Sequence, residues 1–353
     1  MYGGIERHVE ELGARLVERG HRVTVFGRKP FSRPGEHRGI DVAVLPSIPT
    51  KNLDTASNVL ATTLRVLFDR FDIVHYHGVG PSLFAWMPAA TGERTVATIH
   101  ALDYRQSKWG PAARALLRLG ERTAVERCHA VIAVSKLMAE ELAGRYGRRV
   151  VYIPNGAALA EPPPFREAAS LGLSEGRYIL AVGRFIVERG FHTLLEAYRH
   201  VKSDMRLVIA GDAYFDGAYG KRLRSLADGR VVFPGHIRGT LLAELYAHCA
   251  FYVLPSTVEG LSISLLEAMS FGRPVLVSDI PENLEVASEI AVTFRGTDAR
   301  DLVRAMEELL AMREDERSER GRLARERVRR EYSWDRVTDS VESLYLGLVH
   351  SRR

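Results

Sequence analysis

The sequence predicts two α/β domains, each a mostly parallel sheet covered by helices. Three observations predict it. Apolar strand patterns and helix patterns alternate along nearly the whole chain, the signature of parallel strands joined by helical crossovers. The alternation breaks over residues 157–175, where Pro162, Pro163 and Pro164 stand in a row. A length of 353 residues suits about two domains, each with its own core.

In chain order, the first half opens with an amphipathic helix from Gly4 to Arg19, with Ile5, Val9, Leu12 and Leu16 on one face and Gly20 closing it. Strands follow at Arg22 to Phe26 and Ile40 to Leu45, then a helix from Leu53 to Phe68. The strand Asp72 to Tyr76 runs into His77-Gly-Val-Gly, and Thr95 to Ile99 ends at His100. Helix Ala112 to Glu126, strand Ala130 to Val134, helix Lys136 to Arg145 and strand Val150 to Ile153 complete a domain spanning residues 1–156. Only Met1, Tyr2 and Gly3 precede the first helix, where a doubly wound domain carries a central apolar strand. The expectation is a sheet lacking that strand, with two edges unpaired, in a chain whose natural start lies upstream.

Residues 157–175 read as a stiff linker. Strand Tyr178 to Val182, helix Thr193 to Val201, strand Arg206 to Ala210, helix Gly220 to Ala227, strand Val231 to Pro234 and helix Thr240 to His248 then open a second domain, residues 176–332. Its centre is strand Phe251 to Leu254, stopped by Pro255, then a polar loop, a helix from about Leu261 to Phe271, and strand Val275 to Val277. A long charged helical region, Ala299 to Glu331, and an amphipathic helix, Trp334 to Val349, finish the chain.

Composition narrows the functional classes. Hydrophobic residues make up 46% and charged residues 26%, ordinary for a water-soluble globular protein, and no apolar run approaches the ~20 residues that span a bilayer. Cys128 and Cys249 are solitary and lack metal or redox spacing, which points to a reducing, cytoplasmic setting. Residues 1–155 carry 22 Lys+Arg against 15 Asp+Glu, a net +7, and the remainder is net −2. The basic half suits phosphorylated ligands or, as a peripheral contact, the anionic inner face of a membrane. Nothing resembles a nucleic-acid module.

The chemistry is concentrated beyond strand ends. Glu267 is the one charge in an otherwise apolar helix, and Glu259 lies in the loop before it. A carboxylate so placed needs a partner. The bland reading is a structural Glu tied to an Arg or an amide. Against it, such loops face the ligand crevice of doubly wound sheets, and the amides of Leu261, Ser262 and Ile263 open a helix, where phosphate binds. Arg184 and Arg189 stand in the loop after the strand ending near Gly183; two guanidiniums there suit a diphosphate and its charge on departure. Taken singly, either is as readily a surface Arg in a weak ion pair. His75 and His77 at a strand end could form a metal site with His100, but the third ligand has no spacing to support it and packed core histidines are the better reading. Tyr104 and Trp109 suit either sugar stacking or plain packing.

Together these residues resemble glycosyltransferase family 4, retaining nucleotide-sugar transferases of GT-B fold. The matching elements are Gly3-Gly4 before the first helix, His100 in ATIHALD, IPNG at 153–156, Gly183-Arg184 with Arg189-Gly190, Glu259 and Glu267 with seven residues between, and SWDRV at 333–337. The resemblance covers nearly the whole chain. It implies two Rossmann-like domains facing a cleft, with residues 333–353 crossing back to the first domain. It implies Glu267 on the donor ribose, Glu259 on the transferred sugar, Arg184 and Arg189 on the diphosphate, and amides near Gly3, Gly4 and Leu261 to Ile263 beside them. His100 would contact the donor sugar, His236 and Ile237 the base, and Asp103 the acceptor. The family usually has Lys where Arg189 stands. The expected donor is a nucleoside-diphosphate sugar, the acceptor a sugar or lipid-linked sugar, and the transfer needs no metal or other cofactor. A sugar-nucleotide epimerase on the same fold, and an inactive nucleotide-sugar-binding form, are the competing readings.

Overall fold

The computed structural model of the chain describes residues 3–29, 32–48, 54–213 and 217–351. The chain divides into two compact units. One is Tyr2–Asn155 with Trp334–Arg353, the other Gly156–Ser333.

The first unit opens with α1 (Gly4–Glu18), then β1 (Thr24–Arg28), β2 (Gly35–His37), β3 (Ile40–Leu45) and α2 (Asp54–Phe68). Leu53, where the sequence starts α2, lies outside the described residues, as do Met1 and Tyr2. Next come β4 (Ile73–His77), α3 (Trp86–Ala90), β5 (Arg94–Ile99), α4 (Pro111–Arg127), β6 (Ala130–Ala133), α5 (Lys136–Tyr146) and β7 (Val151–Tyr152). Its strands form two sheets. One has the order β1-β3-β2, and the other, entirely parallel, the order β4-β5-β6-β7. Among the described residues no strand pairs with the outer side of β1 or of β4. Apolar β5 and β6 are buried, and Ala97, Ile99, Val131 and Ala133 pack with Val125 and Leu142 into one core.

The second unit contains β8 (Tyr178–Val182), α6 (Phe191–Tyr198), β9 (Arg206–Ala210), α7 (Gly217–Leu226), β10 (Val231–Val232), α8 (Gly239–His248), β11 (Phe251–Leu254), α9 (Ile263–Ser270) and β12 (Val275–Ser278). It continues with α10 (Pro281–Ala287), β13 (Val292–Phe294), α11 (Ala299–Ala311) and α12 (Glu314–Glu331). Six parallel strands run in the order β10-β9-β8-β11-β12-β13. β11 and β12 are buried along their whole length, as continuous apolar runs in a doubly covered sheet should be. Strand order reverses between β8 and β11, which makes their carboxyl ends the ligand crevice of this unit.

Four stretches differ from the sequence reading. Residues Gly35–His37, expected as loop, form β2, antiparallel to β3. The charged region 299–331 is two helices, interrupted at Met312 and Arg313; Asp298 starts the first by accepting from the amides of Arg300 (3.0 Å) and Asp301 (3.1 Å). Helix α10 and strand β13, which the sequence pattern does not announce, complete the sheet edge. Residues 157–175, expected as a spacer, are bound to the second unit. Glu244 accepts from the amides of Arg166 (2.8 Å) and Ala168 (3.0 Å), His248 contacts the Pro163 carbonyl at 2.7 Å, and Phe165 lies 6.5 Å from the Tyr178 ring.

The last helix, α13 (Trp334–His350), belongs to the first unit. It lies on α1, where Arg19 pairs with Asp339 and Glu342 (2.7 Å each) and Arg15 with Asp335 (3.2 Å). Trp334 and Val341 are buried, and Tyr345 reaches His75 at 2.5 Å.

Candidate active site

In the second unit the loops after β8 and β11 are laced together. The amide of Thr257 donates to the Glu188 carbonyl (2.8 Å). Gly190 adopts φ +68°, and a Cβ there would lie 1.9 Å from the Pro255 carbonyl oxygen, so only glycine fits between the loops. That closeness sets Arg189 directly against Glu259, whose carboxylate accepts from Arg189 Nη1. Glu259 is buried, with 7% of its side chain exposed, and the charge-assisted contact supplies the partner such a group requires. Arg184, in the same loop, is exposed and makes no side-chain hydrogen bond or ion pair among the described residues.

Below Glu259 the chain turns into α9. Ser262 caps it in extended conformation and its side chain accepts no amide of the first turn. Its Oγ instead lies 3.0 Å from Ser264 Oγ, which accepts from the Tyr252 hydroxyl (2.8 Å). The first-turn amides therefore keep their capacity for an anion. Leu261, Ser262 and Ile263 are buried and Glu267 half-buried. α12 holds the helix from behind: a Cβ on Gly321 would sit 2.0 Å from the Gly272 carbonyl, a backbone approach that only glycine permits. His236 is exposed and contacts the Arg238 guanidinium (3.1 Å); Ile237 is half-buried beside it. Burial, then the nearby positive charge of Arg238, lowers the His236 pKa.

In the first unit four imidazoles gather at the carboxyl ends of β4 and β5. His100 is 8% exposed, and its Nε2 lies 3.1 Å from His77 Nδ1. His8, from α1, approaches His100 with ring centroids 4.7 Å apart and holds Asn155 Oδ1 through Nδ1 at 2.8 Å. His75 stacks on His77 at 4.1 Å. Burial, reinforced by the mutual repulsion of imidazolium charges, holds His77 and His100 well below the usual histidine value. Burial brings His8 down to about 4 against the opposing pull of Asn155, and His75 to about 3. All four are neutral at pH 7, so His100 offers a hydrogen bond and no charge.

Gly3 caps α1, and its amide donates to Glu6 Oε2 (2.9 Å); Gly4 begins the helix. Asp103 is half-buried and accepts from Gln106 Nε2 (3.0 Å). Tyr104 is buried, its hydroxyl accepting from Arg145 (2.8 Å), so it packs rather than stacking a sugar. Trp109 is half-buried beneath Lys108, 4.8 Å from the ring. Sequence reasoning missed His8, Asn155, Ser264 and Tyr252. The IPNG motif marked Asn155 without indicating what it holds.

Residues 2–161 match the family model described as Glycosyltransferase Family 4, and residues 176–312 that described as Glycosyl transferases group 1. The chain belongs to glycosyltransferase family 4. It is 27% identical to a phosphatidyl-myo-inositol mannosyltransferase of Propionibacterium freudenreichii subsp. shermanii, over 97% of this chain and 91% of the relative. It is 25% identical to the O-antigen chain mannosyltransferase C of Escherichia coli, over 99% and 96%. Among solved structures, the sucrose-phosphate synthase (tll1590) of Thermosynechococcus elongatus superposes with a TM-score of 0.85 at 23% identity, covering 99% of this chain and 94% of that one. Anabaena Alr3699/HepE in complex with UDP-glucose gives 0.81 at 18%, covering 98% and 97%. The fold of this family 4 glycosyltransferase is GT-B, two α/β units of parallel sheets flanked by helices. No helix of the described residues is long and apolar enough to cross a membrane.

Proposed function

We propose that the chain is a retaining glycosyltransferase that moves a sugar from a nucleoside-diphosphate donor to a sugar-containing or lipid-linked acceptor, in polysaccharide or glycolipid biosynthesis. The observation that carries this reading is the pairing of Arg189 with Glu259 at the strand-order reversal of the second unit, with Arg184 in the same loop as Arg189 and the start of α9 directly after Glu259. Two cations and a row of helix amides suit a diphosphate; two carboxylates, Glu259 and Glu267, suit hydroxyls of the sugar and the ribose. The names of the mannosyltransferase relatives support the acceptor class.

During transfer the anomeric C–O bond to the diphosphate breaks. Positive charge develops on the sugar ring and negative charge on the leaving phosphate. Arg184 and Arg189 stabilise the second and the transfer needs no metal. The acceptor hydroxyl attacks from the same face and gives its proton to the departing phosphate oxygen, so configuration is kept. Neutral His100 serves the donor sugar, His236 and Ile237 the base, Asp103 the acceptor and the Gly4 amide a phosphate oxygen; Gly3 joins it only by releasing its amide from Glu6. Peripheral contact with anionic lipid, at the cytoplasmic face, fits the net +7 of residues 1–155 and the exposed Leu116 and Leu119 of α4 beside Arg114, Arg118 and Arg122.

The test is incubation of the purified chain with UDP-, GDP- and ADP-sugars and a bacterial lipid extract. Products are followed by mass spectrometry and the anomeric configuration by NMR. One donor giving an α-linked product from an α-linked donor is expected. Donor turnover to an epimer without acceptor, or nucleotide binding undiminished in Arg184→Ala together with transfer undiminished in Glu259→Ala, overturns the reading.

A further inference from the structure

The sequence weighed a metal site of His75, His77 and His100. The structure rearranges that set. Both nitrogens of His75 are engaged, Nδ1 with the Tyr345 hydroxyl (2.5 Å) and Nε2 with Thr98 Oγ1 (2.7 Å), which removes it as a ligand. His8 takes its place from a different element. One nitrogen each from His8, His77 and His100 lie within 4.8 Å of one another.

We infer that His8, His77 and His100 form a three-imidazole site for a borderline divalent cation, Zn²⁺ or Co²⁺, at the carboxyl ends of β4 and β5. Two arguments carry it. Nitrogens on a tetrahedral zinc at about 2.0–2.1 Å are separated by about 3.3 Å; His77 Nδ1 and His100 Nε2 already stand 3.1 Å apart, and one nitrogen of each of the three rings lies within 4.8 Å of the others. The ion replaces the proton that His77 and His100 share in their hydrogen bond. Second, His8 has the orienting outer contact that metal-binding histidines have: Nδ1 is held by Asn155 Oδ1 at 2.8 Å, which leaves Nε2 as the donor atom. Three nitrogen ligands leave a fourth position open.

The site is not needed for transfer. It takes the His100 imidazole away from the donor sugar, so occupancy inhibits. That consequence rests on the proposed function; the binding itself does not.

The untagged full chain, stripped with chelator, is titrated with Co²⁺ and then Zn²⁺. The expected result is one equivalent of Co²⁺ giving an intense visible band of tetrahedral or five-coordinate geometry, displaced by Zn²⁺. Asn155→Ala weakens Zn²⁺ about 10–100-fold. His8→Gln and His77→Gln weaken it further, and His75→Gln keeps the band. A wild-type chain that shows only the weak spectrum of hydrated Co²⁺ overturns the inference, as does a band that survives in both His8→Gln and His77→Gln. Should those variants unfold, the wild-type titration, the Asn155→Ala shift and a Zn²⁺-dependent rise in wild-type Tm decide it. Loss of transfer on adding Zn²⁺, restored by chelator, reports the inhibition. If no donor is ever turned over, the proposed function fails while the Co²⁺ band still stands or falls on its own.

Discussion

Arg189 and Glu259, seventy residues apart in sequence, hold each other in a charge-assisted contact at the meeting of two loops. Under the proposed function each serves a different half of the same donor, the guanidinium the diphosphate and the carboxylate the sugar. Here they satisfy one another; on that proposal, a bound donor would draw both away.

Which of the two is removed therefore decides the effect on binding. Glu259→Gln frees Arg189, and affinity for the bare nucleoside diphosphate rises while transfer falls about 10²–10³-fold, the scale of losing one group aimed at developing charge. Arg189→Ala lowers both, because a buried carboxylate is left without its partner. Isothermal titration with UDP, GDP and ADP alongside initial rates checks this. Parallel losses of binding and rate in Glu259→Gln would refute it.

Gly190→Ala should dismantle the same corner without touching a charge. A left-handed residue acquires a Cβ 1.9 Å from the Pro255 carbonyl, so the loops must part and Arg189 moves with them. The expected outcome is a lower Tm together with a turnover loss comparable to Arg189→Ala. An unchanged rate would show that the lacing does not position Arg189.

Acid should weaken the first unit ahead of ordinary carboxylate titration. His8 has an ordinary value of 6.5 lowered to about 4 in the fold, and burial holds His77 and His100 well below 6.5 as well. Between those values the unfolded chain binds more protons than the native one, so stability is fully present above about 6.5 and declines as pH falls toward 4. Denaturant unfolding at pH 7.5, 6 and 5 measures the decline, and His8→Gln should flatten it.

Lipid contact is read on vesicles. The wild-type chain should co-sediment with vesicles rich in phosphatidylglycerol and less with pure phosphatidylcholine, and salt should release it. Leu116→Asp with Leu119→Asp should reduce the bound fraction while leaving transfer to a soluble acceptor intact. Equal sedimentation on both vesicle types would discard the contact.

Much of this was legible in the sequence, for identifiable reasons. Continuous apolar runs such as Phe251–Leu254 announce buried parallel strands, and Glu267, the one charge in the apolar helix after them, marks a position that needs a partner. The pairing of Arg189 with Glu259 was not legible, because it depends on a loop contact between residues far apart in the chain. His8 was hidden for another reason. It stands three residues after Ile5 and four before Leu12, on the flank of the apolar face of α1, but the sequence does not say what that face meets: His77, His100 and Trp334 surround it and leave it 2% exposed. The charged stretch 299–331 misled in the opposite way: a uniform composition concealed a break that involves neither Gly nor Pro.

The first unit is assembled from two separate pieces of chain, with the second unit inserted between them. This has a consequence for synthesis. As the polypeptide leaves the ribosome, residues up to Asn155 emerge first, but α13, with Trp334 against His8 and Tyr345 against His75, arrives only after the entire second unit has been made. The imidazole cluster is thus the last thing to be finished although its histidines are among the first to appear. During that interval α1 waits with its docking face uncovered, and it is then that a chaperone would find the nascent chain most receptive.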